Sequence, residues 1–159
     1  MLILGVDTSG KNGSIVLVCS EAERSDTVEI VPLEGGTFSA ELVPQIAALL
    51  QKHGISKQQI DAFAVVSGPG SFTGLRVGLA AIKALAEILR KPIVAVSMLE
   101  AVAFAARAEG RITAVLDAGR GEVYVGTYRV EGDRASAISE ESLSIPCARR
   151  VLRQDRTRR

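Results

Sequence analysis

The sequence predicts an α/β protein: a mostly parallel sheet with an antiparallel hairpin portion, covered by helices. Three observations carry that prediction. Apolar strand-like runs alternate with helix-length amphipathic stretches over most of the chain. A glycine-rich turn, Ser67-Gly68-Pro69-Gly70-Ser71-Phe72-Thr73-Gly74, joins one such run to a long helical pattern. The opening design also returns later. "LILGVDTSGKNGSIVLV" and "ITAVLDAGRGEVYVGTY" are each an apolar strand ending in Asp, a glycine turn and a second strand. Asp7 and Asp117 hold matching places, and the repeat favours a duplicated architecture.

Taken in order, residues 2–6 read as a buried strand, "SGKNGS" as a turn and "SIVLVCS" as the returning strand of a hairpin. "DTVEIVPL" is a third strand and "EGGTF" a loop. Ser39 is placed to cap a helix over about Ala40–His53, with Glu41 in its first turn and Gly54 as its C′ residue. "IDAFAVVSG" is a nearly continuous apolar run, as for an interior strand covered on both faces. A long helix follows over about Gly74–Arg90, with Thr73 as its expected cap and Pro92 preventing its continuation. "PIVAVS" is a further strand and "MLEAVAFAARAEG" a helix stopped by Gly110. After Val130 the pattern collapses, leaving room for one weak helix or strand. The expected organisation is a first lobe at 1–105, the start of an incomplete second lobe at 106–145, and a basic, disordered tail at 146–159.

The bulk numbers narrow the function. The 159 residues are 47% hydrophobic and 23% charged, as for a globular domain of ordinary size. No apolar run approaches the ~20 residues of a membrane span, and the N-terminus lacks the basic region of a signal peptide, so a cytoplasmic protein is expected. Cys19 and Cys147 share no spacing motif, which favours reduced thiols. The last eleven residues hold six arginines and one aspartate, a net +5 against +1 for the whole chain. Such a run reads first as a solvated tail. Nucleic-acid contact is the alternative, without an aromatic residue in the run to stack on a base.

The glycine loop resembles a phosphate cradle but lacks the Lys-Ser/Thr of a Walker loop and the spacing of a dinucleotide fingerprint. Backbone amides at the helix start could hold an anion, with Ser9, Gly70, Ser71, Thr73 and Gly74 as contacts. Turn geometry and close helix packing are the plainer use of its glycines. Asp7 and Asp117 either hold a hydrated Mg²⁺ near a phosphate or cap their own turns. His53, the single histidine, sits beside Lys52 at a helix end, where a favourable terminal charge is expected rather than a ligand. One histidine and two scattered cysteines assemble neither a usual zinc site nor a Ser–His pair. No metal and no catalytic residue is predicted.

The long helix is the strongest signal. Arg76, Lys83, Glu87 and Arg90 fall in a polar stripe about 60° wide at helical spacing. One flank carries Leu75, Leu79, Ile82, Ala86 and Leu89. The other carries Val77, Ala80, Ala81, Ala84 and Ile88, with Gly78 near the back. The earlier helix adds Leu42, Val43, Ile46, Leu49 and Leu50. Two apolar flanks exceed what one sheet needs, so a partner protein is expected on one of them. The residues assigned to that interface are Leu42, Val43, Ile46, Leu49, Leu50, Leu75, Val77, Gly78, Leu79, Ala81, Ile82 and Leu85.

"ILGVDTS", "SAELVPQIAALL", "GPGSFTGLRVGLAAIKALA", "PIVAVSMLEAVA" and "DAGRGEVYVGTY" resemble, in order, the TsaB (YeaZ) family of tRNA threonylcarbamoyladenosine biosynthesis proteins. The resemblance covers about residues 1–130. It implies an actin-like, ribonuclease H-like (ASKHA) fold with a complete first lobe and a truncated second lobe. It implies a non-catalytic subunit that binds the TsaD paralogue, which transfers a threonylcarbamoyl group to adenosine 37 of tRNA. The ATPase TsaE joins that assembly, tRNA is met through the complex, and self-association uses the same helices. No cofactor is expected in the chain itself; ATP or ADP with Mg²⁺ at a complex interface stays open. The alternative is an actin-fold phosphotransferase or ATPase using Asp7 and Asp117. Two departures stand out: Phe38-Ser39-Ala40 replaces the family's His-Ser-Glu, and the family continues where this chain turns arginine-rich, as a frameshift near residue 145 would produce.

Overall fold

Period-two burial builds the first sheet. Leu4, Val6, Ile15 and Leu17 are enclosed; Val16 between the last two is only half-buried, while Gly5 on β1 is buried too, with Val16 against it. The computed structural model describes residues 1–21 and 24–156. Its five strands Leu2–Asp7 (β1), Gly13–Glu21 (β2), Arg24–Leu33 (β3), Ala62–Gly68 (β4) and Ile93–Ser97 (β5) run in the order β3-β2-β1-β4-β5. β1–β2 and β2–β3 are antiparallel, β1–β4 parallel. This is the ribonuclease H-like order of an actin-like first lobe.

Helices Phe38–Lys52 (α1) and Phe72–Leu89 (α2) pack on each other and on this sheet. Leu42, Ile46, Leu49 and Leu50 of α1 and Ile82 and Ala86 of α2 share one core with Leu4, Val6, Ile15, Leu17, Phe63 and Val65. On β4, Phe63 and Val65 meet the helices, whereas Ala64 and Val66 are only half-buried, so its apolar run is not enclosed equally on both faces. On β5, Ile93, Val94 and Ala95 are exposed.

Both helices begin earlier than the sequence suggested. The N-cap of α1 is Thr37, not Ser39, because Phe38 must enter the first turn to reach the core. The Thr37 hydroxyl makes no cap bond and donates instead to the Glu34 carbonyl. The N-cap of α2 is Ser71, not Thr73: its Oγ accepts from Gly74 N at 3.3 Å. The α1 C-terminus is as expected. Gly54 takes φ +64°, its N–H reaches Gln51 O and the Ile55 N–H reaches Leu50 O, which satisfies two orphan carbonyls.

The second compact unit begins at Ser97, the first spanning Met1–Val96, rather than at residue 106. The reason is helix Met98–Ala105 (α3), whose Leu99 and Ala103 pack on the second sheet with Ala114 and Tyr128. That sheet is an antiparallel meander of Gly110–Gly119 (β6), Glu122–Glu131 (β7) and Arg134–Ser144 (β8). The chain then forms helix Ile145–Arg156 (α4), which packs on β7 and β8. With α3 also packed on it, β7 is buried along Val125–Tyr128, where the sequence reads Val-Gly-Thr-Tyr.

The region after Val130 therefore holds more structure than its pattern promised, and 146–156 is helical rather than a disordered tail; residues 157–159 lie outside the described residues. β8 gave no hydrophobic signal because nearly every side chain on it is exposed. Backbone pairing to β7 holds it, not a buried face.

Candidate functional site

The β1–β2 turn and the start of α2 are built against each other. Gly70, Gly74 and Gly78 recur every four residues; Gly74 and Gly78 share one face of α2, and Gly70 lies just before its N-cap. A Cβ on Gly74 would overlap the Thr8 carbonyl oxygen, one on Gly78 the Thr8 hydroxyl, and one on Gly70 the Ser9 carbonyl oxygen. Glycine lets the helix backbone lie directly on the turn. Thr8 and Ser9 are buried there, and both are satisfied: Thr8 Oγ1 donates to Gly74 O at 2.8 Å, and Ser71 N donates to Ser9 O at 2.6 Å.

Asp7 supports the same turn. Its Oδ1 accepts from Ser9 N at 2.8 Å and from Ser9 Oγ at 2.6 Å. In the second hairpin Asp117 Oδ1 accepts from Gly119 N at 2.8 Å. Each aspartate thus closes a turn onto the residue two places on, and the repeat seen in the sequence recurs as geometry. The two sit in different units, each within its own hairpin. Thr8, which the sequence reading passed over, does the packing. The signal was the four-residue glycine spacing, which demands a close neighbour.

A cavity of about 420 Å³ lies beside this junction, lined by Gly10, Lys11, Asn12, Gly35, Gly36, Phe38, Ser71, Thr73 and Gly74. Of the expected anion contacts it takes in Ser71, Thr73 and Gly74; Asp7, Ser9 and Gly70 stand outside its lining. Among the described residues, no group of three or more His, Cys, Asp or Glu is placed to hold a metal ion. His53 Nε2 and Lys52 Nζ both meet Glu29, at 2.6 and 2.7 Å, tying the end of α1 to β3. The Lys52 hydrogen bond, then that of His53, lowers the Glu29 carboxyl below its ordinary range.

The expected interface residues divide. Leu42, Ile46, Leu49, Leu50, Gly78 and Ile82 are buried in this chain's own core. Their surface is spent on the sheet and on each other, so the partner surface read from them is corrected to the residues left outside. Val77, Leu79, Ala81 and Leu85 are half-buried against that core, Leu75 is half-buried, and Val43 is 52% exposed. The flank of α2 with Leu75, Leu79, Ile82, Ala86 and Leu89 faces inward. The other flank divides: Val77 and Ala81 lie half-buried against the core, whereas Ala80 and Ala84 are exposed, Ile88 is 75% exposed, and Phe72 in the first turn is 74% exposed. The Arg76 guanidinium lies 5.3 Å from the Phe72 ring centroid, so one polar residue of the stripe covers part of that ring. Among the described residues, no helix is long and apolar enough to cross a membrane.

The family model of TsaD, tRNA N6-adenosine threonylcarbamoyltransferase, matches residues 30–151. The chain is 38% identical over 132 residues to the tRNA threonylcarbamoyladenosine biosynthesis protein TsaB of Bacillus subtilis, covering 81% of this chain and 56% of that protein. It is 34% identical over 132 residues to TsaB of Escherichia coli, covering 81% and 55%. The structure of YeaZ from Pseudomonas aeruginosa superposes with a TM-score of 0.75 at 29% identity, covering 90% of this chain and 67% of that one. The chain thus spans about half the length of the curated relatives it matches.

Proposed function

We propose, since the chain belongs to the TsaB family of tRNA threonylcarbamoyladenosine biosynthesis proteins, that it acts as a non-catalytic subunit binding a TsaD paralogue in the cytoplasm. The observation that carries this reading is the outward flank of α2. Ala80, Ala84 and Ile88 form an exposed apolar strip, and Phe72 in the first turn of α2 and Val43 on the neighbouring α1 are exposed as well. Small side chains at i and i+4 let a second helix approach closely, and large ones at both ends supply buried area. Two helices presented side by side suit a four-helix packing with a partner built alike. A paralogue of the same fold meets that requirement, and a second copy of this chain would meet it by the same strip. On this reading the adenosine-modifying chemistry resides in the paralogue, and TsaE and tRNA join through the complex.

The glycine loop fits a scaffold role. Its glycines seat α2 on the Thr8–Ser9 turn, so the interface helix starts from a fixed point. The test is co-purification with TsaD. Ala84→Glu and Ile88→Glu place charge on exposed positions, leave the fold intact and abolish capture. Capture retained by both variants refutes the reading.

The cavity at the start of α2 supports a second reading, a nucleotide-binding phosphotransferase or ATPase. Titration of the isolated chain with Mg²⁺-ATP separates the two. Tight binding with turnover favours the enzyme.

A further inference from the structure

Helix α4 turns the basic end of the chain from a charge count into a presented surface. Residues 145–156 are helical, and the Ile145 N–H is anchored to Gly121 O at 3.1 Å. Ala148 is 4% exposed, and the helix packs on β7 and β8. Ala148 thus meets the sheet, while Ile145 and Leu152 stay 41% and 36% exposed. Arg149 and Arg150, next along the helix, are exposed and make no ion pair among the described residues. The last eleven residues hold six arginines and a single aspartate.

We infer that α4 is a binding surface for the phosphate backbone of RNA. Three considerations lead there. A docked helix has already lost its chain entropy, so its guanidinium groups bind a polyanion at lower cost than those of a coil. The basic residues of this run are all arginine, whose planar fork takes two phosphate oxygens at once. No aromatic residue accompanies them, so bases are not stacked and contacts stay on the backbone. The inference rests on the proposed place in tRNA modification for its choice of RNA over another polyanion.

The full chain is titrated with an unmodified tRNA transcript by fluorescence anisotropy across a salt series. Affinity is expected to fall linearly on a log–log plot. Arg149→Gln with Arg150→Gln lowers the slope by ~2, about one per phosphate contact removed, and weakens transcripts of unrelated sequence equally. Arg149→Lys with Arg150→Lys keeps the slope. An absence of tRNA binding by the wild type, or an unchanged slope in the glutamine variant, overturns the inference. So does a variant that keeps tRNA but loses poly-glutamate, which marks an acidic protein partner, or loses only phosphatidylserine vesicles, which marks a membrane. TsaD capture is measured on the same variant. Capture retained alongside an unchanged slope removes this inference and leaves the interface reading standing.

Discussion

Replacing Gly74 by alanine tests the junction of α2 with the β1–β2 turn. In an ordinary helix interior, Gly→Ala stabilises by about 1 kcal/mol, because alanine loses less backbone entropy on folding. Here the new methyl would lie closer than 3.0 Å to the Thr8 carbonyl oxygen, which is main chain and cannot rotate away. Overpacking of that kind costs about 1–3 kcal/mol. If the turn retreats to relieve it, the Thr8 Oγ1 bond to Gly74 O is stretched, and a buried hydrogen bond is worth about 1 kcal/mol. The clash and the lost bond outweigh the propensity gain, so Gly74→Ala destabilises by ~1–3 kcal/mol. Urea unfolding followed by circular dichroism reads this directly. Gly78→Ala supplies an internal comparison, because its methyl would meet the Thr8 hydroxyl, a side-chain atom. Adding Thr8→Ala restores part of the loss at position 78 and none at position 74. A Gly74→Ala protein as stable as wild type, or equal rescue at both sites, refutes the packing argument.

Three further outcomes follow from named contacts. Ile82 is 0% exposed at the centre of the first core, so Ile82→Ala costs about 2–5 kcal/mol in urea unfolding, far more than the same change at exposed Ile88. Tyr128 is 0% exposed; its hydroxyl donates to Glu140 and lies 3.4 Å from Ser97 Oγ. Burial, then the Glu140 bond, pushes its pKa up to about 12, so stability falls as pH rises from about 10, the ordinary value, toward 12. Tyr128→Phe removes that alkaline loss and costs about 0.5–1.5 kcal/mol at neutral pH, the worth of one hydrogen bond, because Glu140 is exposed and keeps its bond from Ser97 Oγ. The lowered Glu29 carboxyl contributes stability that is present above the ordinary value of 4.5 and is lost as pH falls through its folded value. Glu29→Gln flattens the acid limb of a thermal-melt pH profile; an unchanged limb refutes the role of the Lys52 and His53 contacts.

The sheet of the first unit was legible because its strands obey simple patterns. Leu4, Val6, Ile15 and Leu17 carry the alternation, and Gly54 marks the end of α1 by the one conformation it adopts easily. The helix starts were misplaced by a residue or two because Thr37, Ser39, Ser71 and Thr73 are all competent caps on paper. Only the demand that Phe38 reach the core, and that Gly74 lie on Thr8, decides among them. The two flanks of α2 look alike in a helical wheel; the sheet selects the one with the bulkier Leu75, Leu79 and Ile82. β8 was invisible because an exposed edge strand takes its order from its neighbour's hydrogen bonds, which no side-chain pattern records. The arginine run masked α4 because charge density was weighed without Ala148, the apolar position just ahead of the basic residues that meets the sheet.

The two margins of the five-stranded sheet are defended unequally. β3 carries Arg24, Asp26 and Glu29, charges that discourage another chain from zipping onto it. β5 offers Ile93, Val94 and Ala95 to solvent without a charged residue among them. In concentrated solution, self-assembly into amorphous or fibrillar material starts from that bare rim, and a single lysine at Val94 is the cheapest remedy for handling the protein.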